Sequence, residues 1–134
     1  SSRYRVTGSD NSRYFLERYL QLNPTADLLE LDAVTLKTKR KFDCIYSNKV
    51  LHHLDENDLV RSLERQSTLL NAGGYTMHSF WSGNGVDEMH GLKFHYRTED
   101  SLRAAFNERY DIISLVSYEE LEANESSCVR DCVT

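Results

Sequence analysis

The sequence lacks a long hydrophobic run and an excess of basic residues. No apolar stretch approaches the roughly 18 residues needed to span a bilayer, and residues 1–10 contain no apolar signal-peptide core. We therefore expect a cytoplasmic protein with no membrane partner. With 16 basic and 21 acidic residues the formal net charge is -5. No nucleic-acid partner is predicted either, because phosphate binding needs a basic surface.

Cysteine is also scarce, which bears on disulfides and metals. The three cysteines, Cys44, Cys128 and Cys132, are odd in number and widely spaced, which is not the pattern of a disulfide framework. Cys44 lies in an apolar run and is predicted to be a small core residue. A metal site needs about four ligands, and no neighbouring Cys or His completes one around the other two. No metal is predicted.

Strand-like and helix-like segments alternate along the chain, with no linker or repeat between them. The predicted strands are 3–8, 26–31, 42–47, 75–81, 111–118 and 127–133, and the predicted helices are 12–22, 56–70 and 99–106. Residues 82–95 are predicted to be irregular. This order indicates one α/β domain over 1–134, with a mostly parallel sheet and a C-terminal antiparallel hairpin.

Local signals mark where two of the helices begin and one ends. Asp55 is a plausible N-cap, with Asp58 adding a negative charge in the first turn. Thr98 is the predicted cap of the last helix. The run 71–74 (Asn-Ala-Gly-Gly) is expected to stop the middle helix, because glycine adopts positive φ easily.

The segment 6–12 (Val-Thr-Gly-Ser-Asp-Asn-Ser) places a carboxylate, Asp10, at the end of a predicted strand. There it can accept hydrogen bonds from both hydroxyls of a ribose; capping the following helix is the structural alternative. The segment resembles the end of the second strand in class I S-adenosylmethionine-dependent methyltransferases, usually Val-x-Gly-x-Asp-x-Ser. The resemblance implies that Asp10 is the ribose ligand.

Two further segments resemble the same family. Asp32-Ala33 follows the next strand, where family members carry a similar pair that contacts the adenine; a turn aspartate is the alternative. Residues 42–54 (Phe-Asp-Cys-Ile-Tyr-Ser-Asn-Lys-Val-Leu-His-His-Leu) closely resemble the fourth-strand motif of the small-molecule branch. The resemblance implies that Ser47 and Asn48 lie beside the methionine part of the cofactor.

The histidine pair in that motif, His52 and His53, invites a metal or general-base interpretation. Adjacent residues point in different directions, so one site is not expected to use both. The commoner arrangement has one histidine packed near the cofactor and the other facing water. Asp43, which starts the strand, is expected to be structural.

The family's first strand ends in a glycine-rich loop, and only nine residues precede Asp10 here. Gly8 is a lone glycine and cannot replace that loop. We therefore expect a Rossmann-like sheet that lacks the first strand and its glycine loop, with reduced cofactor affinity. The two strand edges left unpaired are expected to close on each other or to pair with another chain as a homodimer.

The resemblance implies S-adenosyl-L-methionine-dependent methyl transfer to a small-molecule acceptor. Such a reaction needs mainly orientation and exclusion of water, because the sulfonium is an activated donor. The acceptor site is expected around Phe80, Trp81, Tyr96 and the segment 82–95. The main alternative is a non-catalytic remnant or interaction module that kept the fold. A nicotinamide enzyme fits less well, because its glycine fingerprint is equally absent.

Overall fold

The computed structural model describes residues 4–119 and the strand 127–133. Within it the chain divides into two compact units, residues 1–38 and 39–134. The prediction of one domain over 1–134 stays a prediction. Each unit is described by itself below.

The first unit is a small βαβ motif. It contains β1 (Thr7–Asp10), α1 (Arg13–Leu22) and β2 (Asp27–Glu30), and the two strands pair in parallel with Gly8 opposite Leu28. A Cβ added at Gly8 would lie 2.9 Å from Leu28 Cδ2, so the glycine permits this close approach. Ser12 caps α1 by accepting a hydrogen bond from Phe15 N.

The second unit is a mixed sheet with helices. Its elements are β3 (Phe42–Asn48), a 3-10 turn (Leu51–His53), α2 (Glu56–Leu69), β4 (Leu70–Trp81), β5 (Val86–Met89), β6 (Leu92–His95), α3 (Glu99–Phe106), β7 (Ile112–Glu119) and β8 (Ser127–Val133). The four-stranded sheet has the order β3-β4-β8-β7. β3 and β4 are parallel, and β8 is antiparallel to both β4 and β7. The predicted antiparallel C-terminal hairpin is therefore confirmed.

The core of this unit lies where α2 and α3 pack on the sheet. The buried apolar side chains that α2, α3 and β4 contribute to it are Leu59, Leu63, Leu69, Phe80, Leu102 and Phe106. Tyr110 is 5% exposed and its hydroxyl donates a 2.5 Å hydrogen bond to the carbonyl of Leu63. That bond joins the segment after α3 to the middle of α2.

Both predicted helix caps are confirmed. The Asp55 carboxylate accepts from Asp58 N at 2.8 Å. Thr98 and Ser101 form a reciprocal capping box at the start of α3. These signals were readable because a cap needs only one side chain and a backbone group a few residues away.

The predicted bounds of two elements, and the prediction of an irregular segment at 82–95, were wrong. The first strand begins at Thr7, and residues 4–6 lie outside it, since β2 offers only four residues as partners. Arg3, where the predicted strand begins, lies outside the described residues. Helix α2 ends at Leu69, and residues 71–74 belong to β4. The pairing of β3 with β4 shifts register between Phe42 and Cys44, and Gly73, with a φ of 77°, lies in the part of β4 opposite this shift. Segment 82–95 contains the hairpin β5–β6.

The prediction that Cys44 is a core residue was also wrong. Cys44 is exposed, and no residue of β3 is fully buried. The physical reason is that β3 lies at the edge of its sheet and pairs with β4 alone among the described strands, so fewer neighbouring side chains cover it than cover a central strand. Among the described strands β1 also has one partner, β2, and β1 and β3 belong to different sheets. The side chains of Cys128 and Cys132, and residues 120–126 of the acidic stretch, lie outside the described residues.

Candidate cofactor site

Asp10 is the last residue of β1 and is exposed. Its Oδ1 accepts a 2.7 Å hydrogen bond from Ser12 N, which tightens the turn into α1. The helix cap itself is Ser12, so the alternative that Asp10 caps α1 was wrong. One carboxylate oxygen is used in the turn, and the group remains accessible from solvent.

Asp32 lies two residues beyond β2 and is also exposed. Its Oδ1 accepts from the backbone N–H groups of Val34 at 2.8 Å and Thr35 at 3.1 Å. These bonds fix the turn in which Ala33 is half-buried. The turn role therefore exists, and it occupies one of the two carboxylate oxygens.

Ser47 belongs to a buried chain of polar side chains that links β3, β4 and α2. The Ser47 Oγ lies 2.5 Å from His78 Nδ1, and His78 Nε2 lies 2.8 Å from Gln66 Oε1. Gln66 Nε2 donates in turn to Ser62 Oγ at 3.1 Å. Because an amide oxygen only accepts, His78 carries its proton on Nε2, and its Nδ1 accepts from the Ser47 hydroxyl.

His78 stays neutral inside this chain. Burial lowers the pKa of His78 to about 3, since the ring is 1% exposed and a charge there would lose its hydration. No pattern in the sequence indicated this partnership, because Gln66 and His78 are separated by the end of α2 and the bulged start of β4. Only the parallel register, which sets Ser47 opposite His78, brings the groups together.

Asn48 ends β3, directly opposite Ser79 of β4. Its side-chain oxygen accepts a short hydrogen bond from Ser79 Oγ, which directs the amide nitrogen away from Ser79. Lys49 follows at φ 54°, an uncommon conformation for a residue other than glycine. Its Nζ lies 4.0 Å from the centre of the Trp81 ring, in cation–π contact.

Each unit thus brings together part of the predicted residue set. Asp10 and Asp32 follow the paired strands β1 and β2 in the first unit, and Ser47 and Asn48 end β3 in the second. Asp10 also lines a cavity of about 580 Å³ formed with Gly8, Phe15, Tyr19 and Leu28. No pattern in the sequence predicted this cavity.

The histidine pair occupies the 3-10 turn after β3. His52 is 3% exposed, whereas His53 is exposed, as expected for one packed and one solvent-facing ring. The two rings nevertheless touch, with centroids 4.1 Å apart, so the expected divergence of neighbours was wrong in this turn. Burial, followed by the nearby His53, Arg97, Lys49 and His95, lowers the pKa of His52 to about 4.

Arg97 forms hydrogen bonds with the backbone of this turn, and this role was not predicted from the sequence. It is 3% exposed and donates to the carbonyl of Leu54 at 2.5 Å, with longer contacts to the carbonyls of Leu51 and His95. Its guanidinium also lies 5.6 Å from the Phe80 ring centre. No local sequence pattern reveals that a buried cation forms hydrogen bonds with backbone carbonyls.

Among the described residues no helix is long and apolar enough to cross a membrane, and no group of three or more potential metal ligands occurs.

The alternating strands and helices, the parallel strand pairs and the antiparallel end of the sheet are features of the α/β fold of S-adenosylmethionine-dependent methyltransferases, and solved structures share this fold. One from Methanosarcina mazei is 14% identical with a TM-score of 0.84, over 96% of this chain and 80% of that chain. One from Clostridium acetobutylicum is 14% identical with a TM-score of 0.75, over 97% and 74%. The Burkholderia thailandensis 1,6-didemethyltoxoflavin-N1-methyltransferase is 19% identical with a TM-score of 0.73, over 97% and 60%.

The model of the methyltransferase domain family matches residues 1–76. The chain therefore belongs to that family. No curated protein matches it. The match covers β1 to β3, α2 and the start of β4, and so it includes all five predicted cofactor residues.

Proposed function

We propose that the chain binds S-adenosyl-L-methionine and transfers its methyl group to a small-molecule acceptor. The observation that carries the proposal is the position of Asp10 and Asn48, each the last residue of a parallel strand. Ligands of open α/β sheets bind outside the carboxyl ends of the strands. Membership of the methyltransferase family supports the same reaction.

The chemistry of the five residues fits the parts of the cofactor. The accessible carboxylate of Asp10 would accept from the ribose hydroxyls, and Asp32 with the Ala33 backbone would meet the adenine edge. The amide nitrogen of Asn48, turned away from Ser79, would donate to the methionine carboxylate. Ser47 would act beside it, with its hydroxyl hydrogen engaged by His78.

A small acceptor is supported by likeness to an enzyme of that kind. The Burkholderia thailandensis structure was determined with 1,6-didemethyltoxoflavin and S-adenosylhomocysteine bound. The cofactor supplies the activated methyl group when bound. The residues of this chain would orient the two partners and exclude water.

The alternative of a non-catalytic interaction module also has support in the structure. Val6, Phe15 and Tyr19 are exposed around the cavity of the first unit, and exposed apolar clusters often mark contact sites. The edges of β1 and β3 could likewise pair with a second copy of the chain. Sedimentation of a stable monomer at high concentration would rule out the homodimer.

Calorimetry with S-adenosylhomocysteine separates enzyme from module. We expect binding by the wild-type chain and about tenfold weaker binding by Asp10→Asn, because a hydrogen bond to a charged group contributes about 1.5–3 kcal/mol. Asp100→Asn, an exposed aspartate in α3, is the matched control and should bind like wild type. No binding at millimolar concentrations would favour the module. The predicted reduction in affinity stays a prediction, which the same titration measures.

A further inference from the structure

His52 is a buried polar side chain for which the described residues provide no polar partner. The ring is 3% exposed, and neither Nδ1 nor Nε2 has a hydrogen-bond partner. A buried polar group left unsatisfied costs about 1–3 kcal/mol, and such groups are rare in folded proteins. An apolar ring at this position would avoid that loss, so the imidazole calls for another explanation.

The face of the His52 ring is covered by a single aromatic side chain from the β5–β6 hairpin. Phe94 of β6 stacks on His52 with centroids 5.2 Å apart and planes 13° apart. Phe94 is itself only half-buried. The hairpin is joined to the turn by a contact between His53 Nδ1 and the carbonyl of Lys93 at 3.0 Å. The ring of Phe94 therefore covers the face of His52, and solvent can reach the Phe94 ring.

The surroundings keep the His52 ring neutral. Burial lowers its pKa to about 4, and the nearby His53, Arg97, Lys49 and His95 act in the same direction. A neutral imidazole carries one N–H donor and one nitrogen lone pair. His52 can thus donate to or accept from a ligand at neutral pH.

We propose that His52 is the hydrogen-bonding group of the methyl-acceptor site and that Phe94 fills this site in the structure. The acceptor would be a ring compound with an N–H or O–H group, which enters when Phe94 is displaced and places that group in the plane of the imidazole, where the ring nitrogens of His52 form hydrogen bonds. This inference rests on the proposed function. It names the class of acceptor and the residue that meets its reacting group.

His52 would also receive the proton that the reaction releases. The acceptor's nitrogen or oxygen lone pair forms the new bond to the methyl carbon. The carbon–sulfur bond breaks with its electron pair remaining on sulfur, which turns the sulfonium into a neutral thioether. The N–H or O–H proton of the acceptor passes to the unprotonated nitrogen of His52, and from there to solvent.

The test uses a ring-sized site opened by Phe94→Ala and two probes, phenol and toluene. Phenol can form a hydrogen bond with His52 and toluene cannot, so the phenol-to-toluene affinity ratio of this variant should be about tenfold higher than that of Phe94→Ala with His52→Phe, as expected for a buried hydrogen bond. Nitrogen chemical shifts of His52 should change with phenol alone. In Phe94→Ala with His52→Phe, toluene should bind more tightly than phenol, because the phenol hydroxyl loses its hydration without gaining a partner.

Two results would overturn the assignment: the same phenol-to-toluene affinity ratio in Phe94→Ala with and without His52→Phe, or nitrogen chemical shifts of His52 that do not change with phenol. Phe94→Leu, which removes the ring but keeps apolar volume, gives the same comparison if the alanine variant does not fold. The outcome is separable from the cofactor titration. Cofactor binding without a phenol site refutes this assignment alone, and a phenol site without cofactor binding refutes the proposed reaction alone.

Discussion

Acid should destabilise the second unit through its two buried neutral histidines. Burial lowers the pKa of His52 to about 4 and that of His78 to about 3, whereas an unfolded histidine titrates near 6.5. As the pH falls below 6.5, the unfolded chain takes up protons that the folded chain does not. Stability is therefore lost at about 1.4 kcal/mol per pH unit and per histidine, down to pH 4 for His52 and pH 3 for His78.

Between pH 7 and pH 5 each histidine should remove about 2 kcal/mol of unfolding free energy, and the two together about 4 kcal/mol. His52→Phe deletes one of the two groups. This variant should lose about 2 kcal/mol less than wild type over the same range, and it should be no less stable at pH 7, since the unsatisfied nitrogens are gone.

Urea denaturation at pH 7, 6 and 5 measures these differences. His90→Asn is the control, because His90 is exposed and its φ of 54° suits asparagine; its pH dependence should match that of wild type. If His52→Phe lost as much stability as wild type between pH 7 and pH 5, the neutral buried state of His52 would be refuted.

Two other substitutions test contacts around the core and the 3-10 turn. Tyr110→Phe removes the buried hydrogen bond to the Leu63 carbonyl and should lower the unfolding free energy by about 1–2 kcal/mol in urea; no change would mean that the bond contributes nothing. Arg97→Met keeps apolar volume but removes the hydrogen-bond donor to the carbonyls of Leu51 and Leu54. Faster amide hydrogen exchange should then appear in residues 51–54 but not in α3, and unchanged exchange in the turn would contradict the bridging role.

Local signals in the sequence predicted the elements better than the contacts between them. The caps at Asp55 and Thr98 were predictable because each depends on residues three positions apart. The hairpin at 82–95 was missed because its strands have four residues each, too few to show an alternation. The burial of β3 was overestimated because an apolar run does not reveal that a strand lies at a sheet edge.

The candidate site, like the fold, could be predicted from the sequence only in part. Asp10, Asp32 and Asn48 could be singled out because motif position marks strand ends, and the structure places Asp10 and Asn48 at such ends. Their polar partners could not be predicted. Ser47 meets His78 only through the register of β3 against β4, and Arg97 reaches Leu54 across 43 positions of sequence. Such contacts depend on tertiary packing, which no local pattern encodes.

Because the chain divides into two compact units, tryptophan fluorescence reports on the unfolding of one of them. Trp81 is the single tryptophan of the chain and lies in the second unit. Emission excited selectively in the indole band therefore follows that unit, while Tyr4, Tyr14 and Tyr19 of the first unit contribute only at shorter wavelengths. A denaturation curve recorded from indole alone would describe residues 39–134 even if residues 1–38 had already melted.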